Sequence, residues 1–366
     1  AECSECSHPL VTKVIDRLYK FWLSYPDAGF ITSTLVSLSQ VNSQMLQRWQ
    51  AALNHSDSDV RREAAEALDK IGNPQAVDSL IAFLHDSDSY VRWNAAFALG
   101  EIGNPQAVDS LIASLHDSHS SIREKAAFAL GEIGNPQAVE GLIAALNHSD
   151  NDVREKAAVA LGKIGNPQAV EGLIAALHDS DSSVRGKAVL ALGEIGNPQA
   201  VDSLIAALND SHSSVRMYAA VALGVIGNPQ AVDSLIAALN DSHSSVRMYA
   251  AVALGVIGNP QAVDSLIAAL NHSHSSMRWS AAVALGVTGN PQAVDSLIAA
   301  LNDSDSSVSS EAVKALGKIG NPQAVDSLIA ALNDSDSSVS SEAVKALGKI
   351  GNPQAVDSLI AALNHS

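Results

Sequence analysis

The amino-acid sequence predicts an all-α protein, a right-handed α-solenoid in which antiparallel helical hairpins stack into a superhelix. The first observation behind this prediction is a 31-residue unit that runs ten times along the 366-residue chain. A unit of this length cannot bury a core alone, so neighbouring units must stack to form one interior. The hexapeptide Gly-Asn-Pro-Gln-Ala-Val marks the repeats and begins at Gly72, Gly103, Gly134, Gly165, Gly196, Gly227, Gly258, Gly289, Gly320 and Gly351.

The second observation is that each unit carries two apolar stripes with helical spacing. In the first unit the earlier stripe consists of Val60, Ala64, Ala67, Leu68 and Ile71. Gly72-Asn73-Pro74 ends this helix, because glycine suits the position after a helix and proline suits the first turn of the next one. The stripe of the following, Pro-led helix consists of Val77, Leu80, Ile81 and Leu84. The polar run 85–89 closes the unit and offers capping oxygens to the next helix.

The segment before the repeats follows the same plan in degenerate form. We expect a disordered tail over residues 1–9, a capping repeat over 10–55 and the repeat array over 56–366. A helix is predicted by Ile31, Leu35 and Leu38, and the next one by Leu46, Trp49 and Leu53. Aromatic residues concentrate near the start of the capping repeat and are expected to cover the open end of the stack: Tyr19, Phe21, Trp22 and Tyr25.

The charge and composition of the chain argue against several classes of function. The net charge is −17, from 22 Lys and Arg against 39 Asp and Glu, so we expect neither nucleic acid nor an anionic membrane as partner. No apolar run approaches the length that spans a bilayer. The two cysteines, Cys3 and Cys6, lie close together and cannot cross-link the fold. We expect a cytoplasmic location.

The consensus of the repeats is similar to a known family. The stretch from Val153 to Leu177 resembles the HEAT-like repeats, in the short form named after phycobilisome lyases, and the consensus of artificial helical-repeat binders. This resemblance implies an α-solenoid in which one helix of each pair lines a concave binding face, and it implies no particular reaction. Members often carry an arginine after the first residue of the unit that ties adjacent loops together. Here it is present from Arg61 to Arg278 and replaced by Ser309 and Ser340, which predicts a weaker C-terminal end.

We call the earlier helix of each repeat the Val-led helix, because its apolar stripe opens with a residue such as Val60. The copies differ mainly at the third, fourth, seventh and eleventh residues counted from that opening residue. At about 100° per residue these positions share one arc opposite the apolar stripe, on the face that should line the inner curve. In units six to eight this face is apolar, whereas the flanking units are charged there. The candidate partner-binding residues are Trp93, Phe97, Phe128, Leu190, Met217, Tyr218, Val221, Val225, Met248, Tyr249, Val252, Val256, Trp279, Val283 and Val287.

These observations favour a non-catalytic scaffold that binds a protein partner through its concave face, centred on units six to eight. Burial of the same residues between units of a tightly curled superhelix is an alternative. Residues 209–239 and 240–270 are identical, so duplication also accounts for part of the pattern. Two other functions stay open: a phycobilin lyase-like subunit that handles a tetrapyrrole on a partner protein, and the sensor portion of a larger or engineered protein.

No catalytic residue, cofactor or metal site is predicted. His119, His212, His243 and His274 occupy a position held by aspartate in other repeats, just before a helix, where capping or solvation accounts for them. They are too far apart along the stack to share an ion. Cys3, Cys6 and His8 form half of a zinc motif without a second pair, so we expect these residues to belong to the disordered tail, and a zinc site and a redox pair are the alternatives.

The last Pro-led helix keeps the sequence of the internal ones, including Val356 and Ile360. Solenoids that are capped carry polar residues on the outer face of the last helix. We therefore expect the C-terminal helix to fray or to associate end to end with a second copy.

Overall fold

A computed structural model describes residues 9–26, 29–39, 43–71, 77–356 and 358–360. These residues form α-helices, 3-10 turns and short loops, and none of them lies in a strand. The chain divides into two compact units, Ala1–Ala191 and Leu192–Ser366. Both units repeat one pattern of a long and a short helix, so the prediction of an all-α solenoid is confirmed. The expected tail at residues 1–8 and Leu46's side chain lie outside the described part, whereas Pro9 already belongs to a helix.

Three helices precede the repeats: α1 (Pro9–Ser24), α2 (Gly29–Ser39) and α3 (Ser43–Ala52). Trp22 and Trp49 are fully buried and meet edge to face, with ring centroids 4.7 Å apart. Both indoles donate hydrogen bonds to hydroxyl groups, Trp22 to Thr32 and Trp49 to Ser39. Of the four aromatic residues that were predicted to cover this end, only Trp22 is fully buried. Phe21 and Tyr25 are 50% and 61% exposed.

The long helices each begin at a polar residue and end one residue before glycine. They are α4 (Ser58–Ile71), α6 (Ser89–Ile102), α8 (Ser120–Ile133), α10 (Asn151–Ile164), α12 (Ser182–Ile195), α14 (Ser213–Ile226), α16 (Ser244–Ile257), α18 (Ser275–Thr288), α20 (Ser306–Ile319) and α22 (Ser337–Ile350). Asp88 caps α6 by accepting hydrogen bonds from the backbone N–H groups of Tyr90 and Val91. Gly103 ends α6 with a left-handed φ of 70°, which glycine adopts at no steric cost.

The short helices alternate with the long ones. They are α5 (Val77–Phe83), α7 (Val108–Ser114), α9 (Val139–Ala145), α11 (Val170–Ala176), α13 (Val201–Ala207), α15 (Val232–Ala238), α17 (Pro260–Ala269), α19 (Val294–Ala300) and α21 (Val325–Ala331). Most of them follow a 3-10 turn over Pro-Gln-Ala, as at Pro105–Ala107. The asparagine before the proline caps this turn: the Asn104 side chain accepts from the N–H of Gln106. The predicted Pro-led helix therefore begins as a 3-10 turn, and only α17 is continuous from its proline among those described.

The core lies between a row of long helices and the short helices beside it. Consecutive long helices pack on one another, from α4 to α10 in the first unit and from α14 to α22 in the second. The short helices α5, α7, α9, α13, α15, α17, α19 and α21 each pack against the long helix that follows, as α15 does against α16. The predicted stripes are buried, since Val60, Ala64 and Leu68 are all 0% exposed.

Each long helix from α6 to α22 carries an internal glycine, whereas α4 has Asp69 at this position. A Cβ atom added to Gly224 would lie 2.9 Å from the Cβ of Ala253, and one added to Gly255 would lie 2.9 Å from the Cα of Ala284. Such contacts are shorter than real Cβ contacts, so these positions require glycine. The small residues let the backbones of neighbouring long helices nearly touch.

Candidate interaction surface

The predicted partner-binding residues lie on the long helices, at positions that the core leaves uncovered. None of the fifteen belongs to the buried core, and all are half-buried or exposed. The most accessible are Val225, Val256 and Val287, which are 66%, 56% and 47% exposed. The other twelve residues are partly buried.

The residues of repeats six to eight form one strip, which we call the apolar strip: Met217, Tyr218, Val221, Val225, Met248, Tyr249, Val252, Val256, Trp279, Val283 and Val287. Its residues lie on α14, α16 and α18, which pack in that order within the second unit. Because the glycine contacts bring these helices unusually close, equivalent side chains on successive helices are neighbours. The residues of the apolar strip thus lie on three consecutive long helices.

Three aromatic candidates, Trp93, Phe97 and Phe128, lie in the compact unit Ala1–Ala191 and form a separate cluster around a lysine. The rings of Trp93 and Phe97 stack with centroids 5.6 Å apart, and Phe97 and Phe128 stack at 6.5 Å. Lys125 places its Nζ 4.7 Å from the ring centre of Trp93 and 4.8 Å from those of Phe97 and Phe128. Burial lowers the pKa of the Lys125 ammonium, against the attraction of Glu124 and Glu101.

This cluster was only partly visible in the sequence. The three rings were predicted as binding residues, whereas Lys125 was not. Its contacts join α6 and α8, and a single-helix pattern cannot show which side chains meet across two helices. Leu190, the remaining predicted residue, is half-buried on α12, two repeats after Phe128.

The loops between repeats carry a ladder of ion pairs. Arg216 donates from Nε to Oδ2 of Asp241 at 2.7 Å and from Nη2 to Oδ1 at 2.9 Å. Its Nη1 donates to the carbonyl oxygens of Asp210 and Ser211 in its own loop. One guanidinium therefore joins two consecutive loops, as the resemblance implied. Pairs of this kind are Arg61–Asp86, Arg92–Asp117, Arg154–Asp179, Arg216–Asp241 and Arg278–Asp303.

The ion pairs also change the acidity of the aspartates. The hydrogen bond from Arg216, opposed by partial burial, holds the pKa of the Asp241 carboxyl below its usual range. The hydrogen bond from Arg278 does the same for the pKa of Asp303. At Ser309 no guanidinium is available, and its hydroxyl donates instead to the carbonyl of Asp303 at 3.3 Å.

A second ladder, which the sequence analysis missed, joins the short helices. The amide of Gln230 donates to the carboxylate of Asp202, and that of Gln261 donates to Asp233 at 2.7 Å. The glutamine is present in every repeat and the aspartate in most of them, and this sharing among repeats was the signal from which the ladder could have been predicted. Internal comparison drew attention to what varies, so the shared Gln and Asp were passed over.

Of the two roles predicted for the loop histidines, capping is not observed, and the side chains of His119, His212, His243 and His274 are exposed, as solvation requires. His119, His212 and His243 occupy the N-cap positions of α8, α14 and α16 but make no capping bond from their side chains. The ring of His243 contacts the Ser242 hydroxyl and Nη2 of Arg216 instead. Within the described ranges, no cluster of His, Cys, Asp or Glu has the makings of a metal site. The motif Cys3, Cys6 and His8 lies outside those ranges.

A family model described as HEAT repeats matches residues 46–127, 108–185, 170–253, 232–310 and 294–366. No curated protein sequence is significantly similar to the chain. Of the helices in the described residues, none has the length and apolar character that crossing a membrane requires.

Several solved structures share the fold. Importin beta in ammonium sulfate has a TM-score of 0.65 at 16% identity, covering 95% of this chain and 58% of its own. Kap95p, solved with RanGDP, has a TM-score of 0.64 at 15% identity, covering 86% of this chain and 51% of its own. YibA of Escherichia coli has a TM-score of 0.51 at 23% identity, covering 73% of this chain and 98% of its own. The chain thus spans little more than half of the two importin-type chains, and at these identities the likeness shows the fold alone. The family model matches nearly the whole repeat array, and the chain belongs to the HEAT-repeat proteins.

Proposed function

We propose that this protein is a non-catalytic scaffold that binds a protein partner through the apolar strip of α14, α16 and α18. HEAT-repeat solenoids are a general type of interaction scaffold, and the solved structure of Kap95p contains RanGDP as its partner. The strip is the observation that carries the proposal. Three of its six valines, Val225, Val256 and Val287, are at least 47% exposed in a chain whose other valines are mostly buried.

The composition of the strip suits a protein partner. Methionine, tyrosine and tryptophan are enriched at interfaces, because they offer large apolar areas that adapt to a partner's shape. Three neighbouring helices about 8–10 Å apart present an area of roughly a few hundred Å2, the range in which exposed apolar patches mark binding sites. The partner that fits is an apolar segment of another protein, and we infer from the resemblance to HEAT-like repeats that the strip lines the concave face.

The test is a selection of random peptides displayed on phage against the whole chain. Peptides with large apolar residues should bind the native protein and fail to bind the variant Met217→Glu, Tyr249→Glu, Trp279→Glu, whose strip is charged. A matched control is Asn94→Glu, Ser341→Glu, Lys345→Gln, which changes the net charge equally on the same helix type outside the strip. It should keep native binding.

Two results would contradict the proposal. Equal binding by the strip variant and the native chain would place the peptide site elsewhere. A loss of helical circular dichroism in the strip variant alone would show that these side chains pack internally. The control variant separates either result from a general effect of added negative charge.

A further inference from the structure

The two valine rows of the apolar strip continue as lysines on the next two long helices. The seventh and eleventh positions, counted from the residue that opens each Val-led helix, hold valine in α14, α16 and α18. In α20 and α22 both positions hold lysine: Lys314, Lys318, Lys345 and Lys349. Because α20 packs on α18 and α22 packs on α20 within the second unit, the lysines follow the valines along the same rows.

The lysines at the seventh position are paired within their own helices. Nζ of Lys314 lies 3.2 Å from Oε2 of Glu311, and Nζ of Lys345 lies 2.7 Å from Oε1 of Glu342. The hydrogen bond from Lys345 holds the pKa of the Glu342 carboxyl below its usual range. Lys314 and Lys349 add to this effect through their charges. No other acidic residue occurs in α20 or α22, so lysine is in excess there although the net charge of the chain is −17.

The lysine at the eleventh position of α20 has no acid opposite it on the preceding long helix. Lys163, at this position in α10, forms an ion pair with Glu132, which stands one repeat earlier on α8. Lys318 reaches α18 in a similar way, since its Cδ would lie 3.7 Å from a Cβ added to Gly286. However, α18 contains no acidic residue, and Val287 stands at the place of Glu132. Lys318 therefore lies at the edge of the apolar strip without the carboxylate that its counterpart contacts.

The lysine at the eleventh position of α22 has a like charge opposite it. Lys318 stands one repeat before Lys349, on the helix against which α22 packs. Both residues are exposed. Packed helices lie about 8–10 Å apart, so the two ammonium groups repel each other across the helices. A carboxylate from another molecule would be attracted to both of them.

We propose that the protein segment that binds the apolar strip has acidic residues at one end, and that these residues lie over Lys318 and Lys349. This inference rests on the proposed function and adds the charge and the orientation of the partner. Complementary charge beside an apolar contact speeds association and fixes the direction in which a segment lies. A segment with lysine or arginine at that end would instead meet like charge on both helices, which disfavours it.

Three labelled peptides test the proposal by fluorescence anisotropy with the whole chain. They share one apolar segment of leucine and phenylalanine, which continues as a run of glutamate, glutamine or lysine. The glutamate peptide should bind the native protein several-fold more tightly than the glutamine peptide, and the lysine peptide should bind most weakly. High salt should reduce these differences, because exposed charges are screened by ions.

The variant Lys318→Glu, Lys349→Glu should reverse the order of the glutamate and lysine peptides. The matched control is Lys70→Glu, Lys163→Glu, which makes the same change at the same position of two repeats in the first unit. It should keep the native order. The milder variant Lys318→Gln, Lys349→Gln should reduce the differences among the peptides, and it provides the test if the glutamate variant fails to fold.

Equal binding of the three peptides by the native chain would overturn this inference and leave the proposed function standing. The native order in the variant Lys318→Glu, Lys349→Glu would overturn it as well, because the acidic end would then lie elsewhere. A failure of every peptide to bind, or binding that survives in the charged strip variant, would overturn the proposed function together with this inference.

Discussion

At the scale of single residues, an arginine near the start of a long helix joins one loop to the next. The resemblance to HEAT-like repeats predicted this role from position alone. It could not predict the partner atoms, since Arg123 reaches Asp150 whereas Arg154 reaches Asp179. The residue at the second position of the following loop, His148 in one case and Asp179 in the other, decides which aspartate the arginine contacts. That contact depends on the geometry between repeats. The same limit explains why the contacts of Lys125 with three rings were not foreseen.

Arg216→Ser should destabilise the second unit by about 1–3 kcal/mol, because it leaves a largely buried carboxylate without its partner. The side chains of Arg216 and Asp241 are only 11% and 12% exposed, so the pair is poorly screened by solvent. Chemical unfolding followed by circular dichroism measures the loss. Arg247→Ser is the control and should cost less, since Arg247 has no aspartate across the loop. Equal losses would show that the loop carbonyl contacts, rather than the ion pairs, provide the stability.

The same pair predicts how stability depends on pH. The folded-state pKa of Asp241 is lowered, chiefly by the hydrogen bond from Arg216, so the pair's contribution is complete above the unfolded pKa of aspartate, about 3.9. It should disappear as the pH falls through the lower folded-state value. The difference in unfolding free energy between the native chain and Arg216→Ser should therefore be constant near neutrality and vanish in acid. A difference that stayed unchanged in acid would assign it to packing of the arginine stem.

At the scale of helices, two kinds of glycine have separate functions. The glycine after each long helix was predicted, because Gly-Asn-Pro has a clear local meaning in sequence. The glycine within the long helices was not predicted, although nine of the ten repeats carry it. Its purpose depends on the alanine of the next long helix, as Gly224 depends on Ala253. Local propensity counts an internal glycine as unfavourable, so only the packed structure explains why it is kept.

Gly255→Ala should destabilise the protein by about 1–3 kcal/mol, because overpacking forces α16 away from α18. Its added Cβ would meet Ala284 at 2.9 Å from Cα and at 2.9 Å from the carbonyl oxygen. Gly348→Ala is the matched control, since a Cβ there meets nothing within 4 Å. That change should stabilise α22 by up to about 1 kcal/mol through helix propensity. Thermal unfolding of both variants checks the opposite signs, and destabilisation by both would refute the role assigned to the close approach.

At the scale of the whole molecule, the period of the repeat determined the fold more firmly than any single residue did. Two stripes in 31 residues predicted paired helices, and the boundaries of α4 agree with the stripe that ends at Ile71. The capping repeat was harder to predict, because its buried hydrogen bonds from Trp22 and Trp49 have no counterpart in the consensus. The function is less determined, since HEAT repeats supply a surface and leave its partner to the variable positions.

The C-terminal end of the second unit is expected to associate with a second copy of the chain. Its apolar side chains are accessible: Val344, Val356 and Ile360 are 37%, 49% and 54% exposed. Among the described residues, Gly348 lacks the close neighbour that Gly317 has in Ala346, so this face of α22 is uncovered there. Such a face is costly in water, and covering it with a second copy removes apolar area from solvent.

Hydrogen exchange at rising protein concentration tests this expectation. Exchange in α22 and at residues 358–360 should be the fastest among the helices of a dilute sample and should slow as the concentration rises. The variant Val356→Lys, Ile360→Lys should lose the concentration dependence, because positive charge at these two exposed positions opposes association. The strip variant serves as the control, since its changes lie on α14, α16 and α18, and it should keep the dependence. Protection of α22 that is high and independent of concentration would show that the end is already covered within one chain.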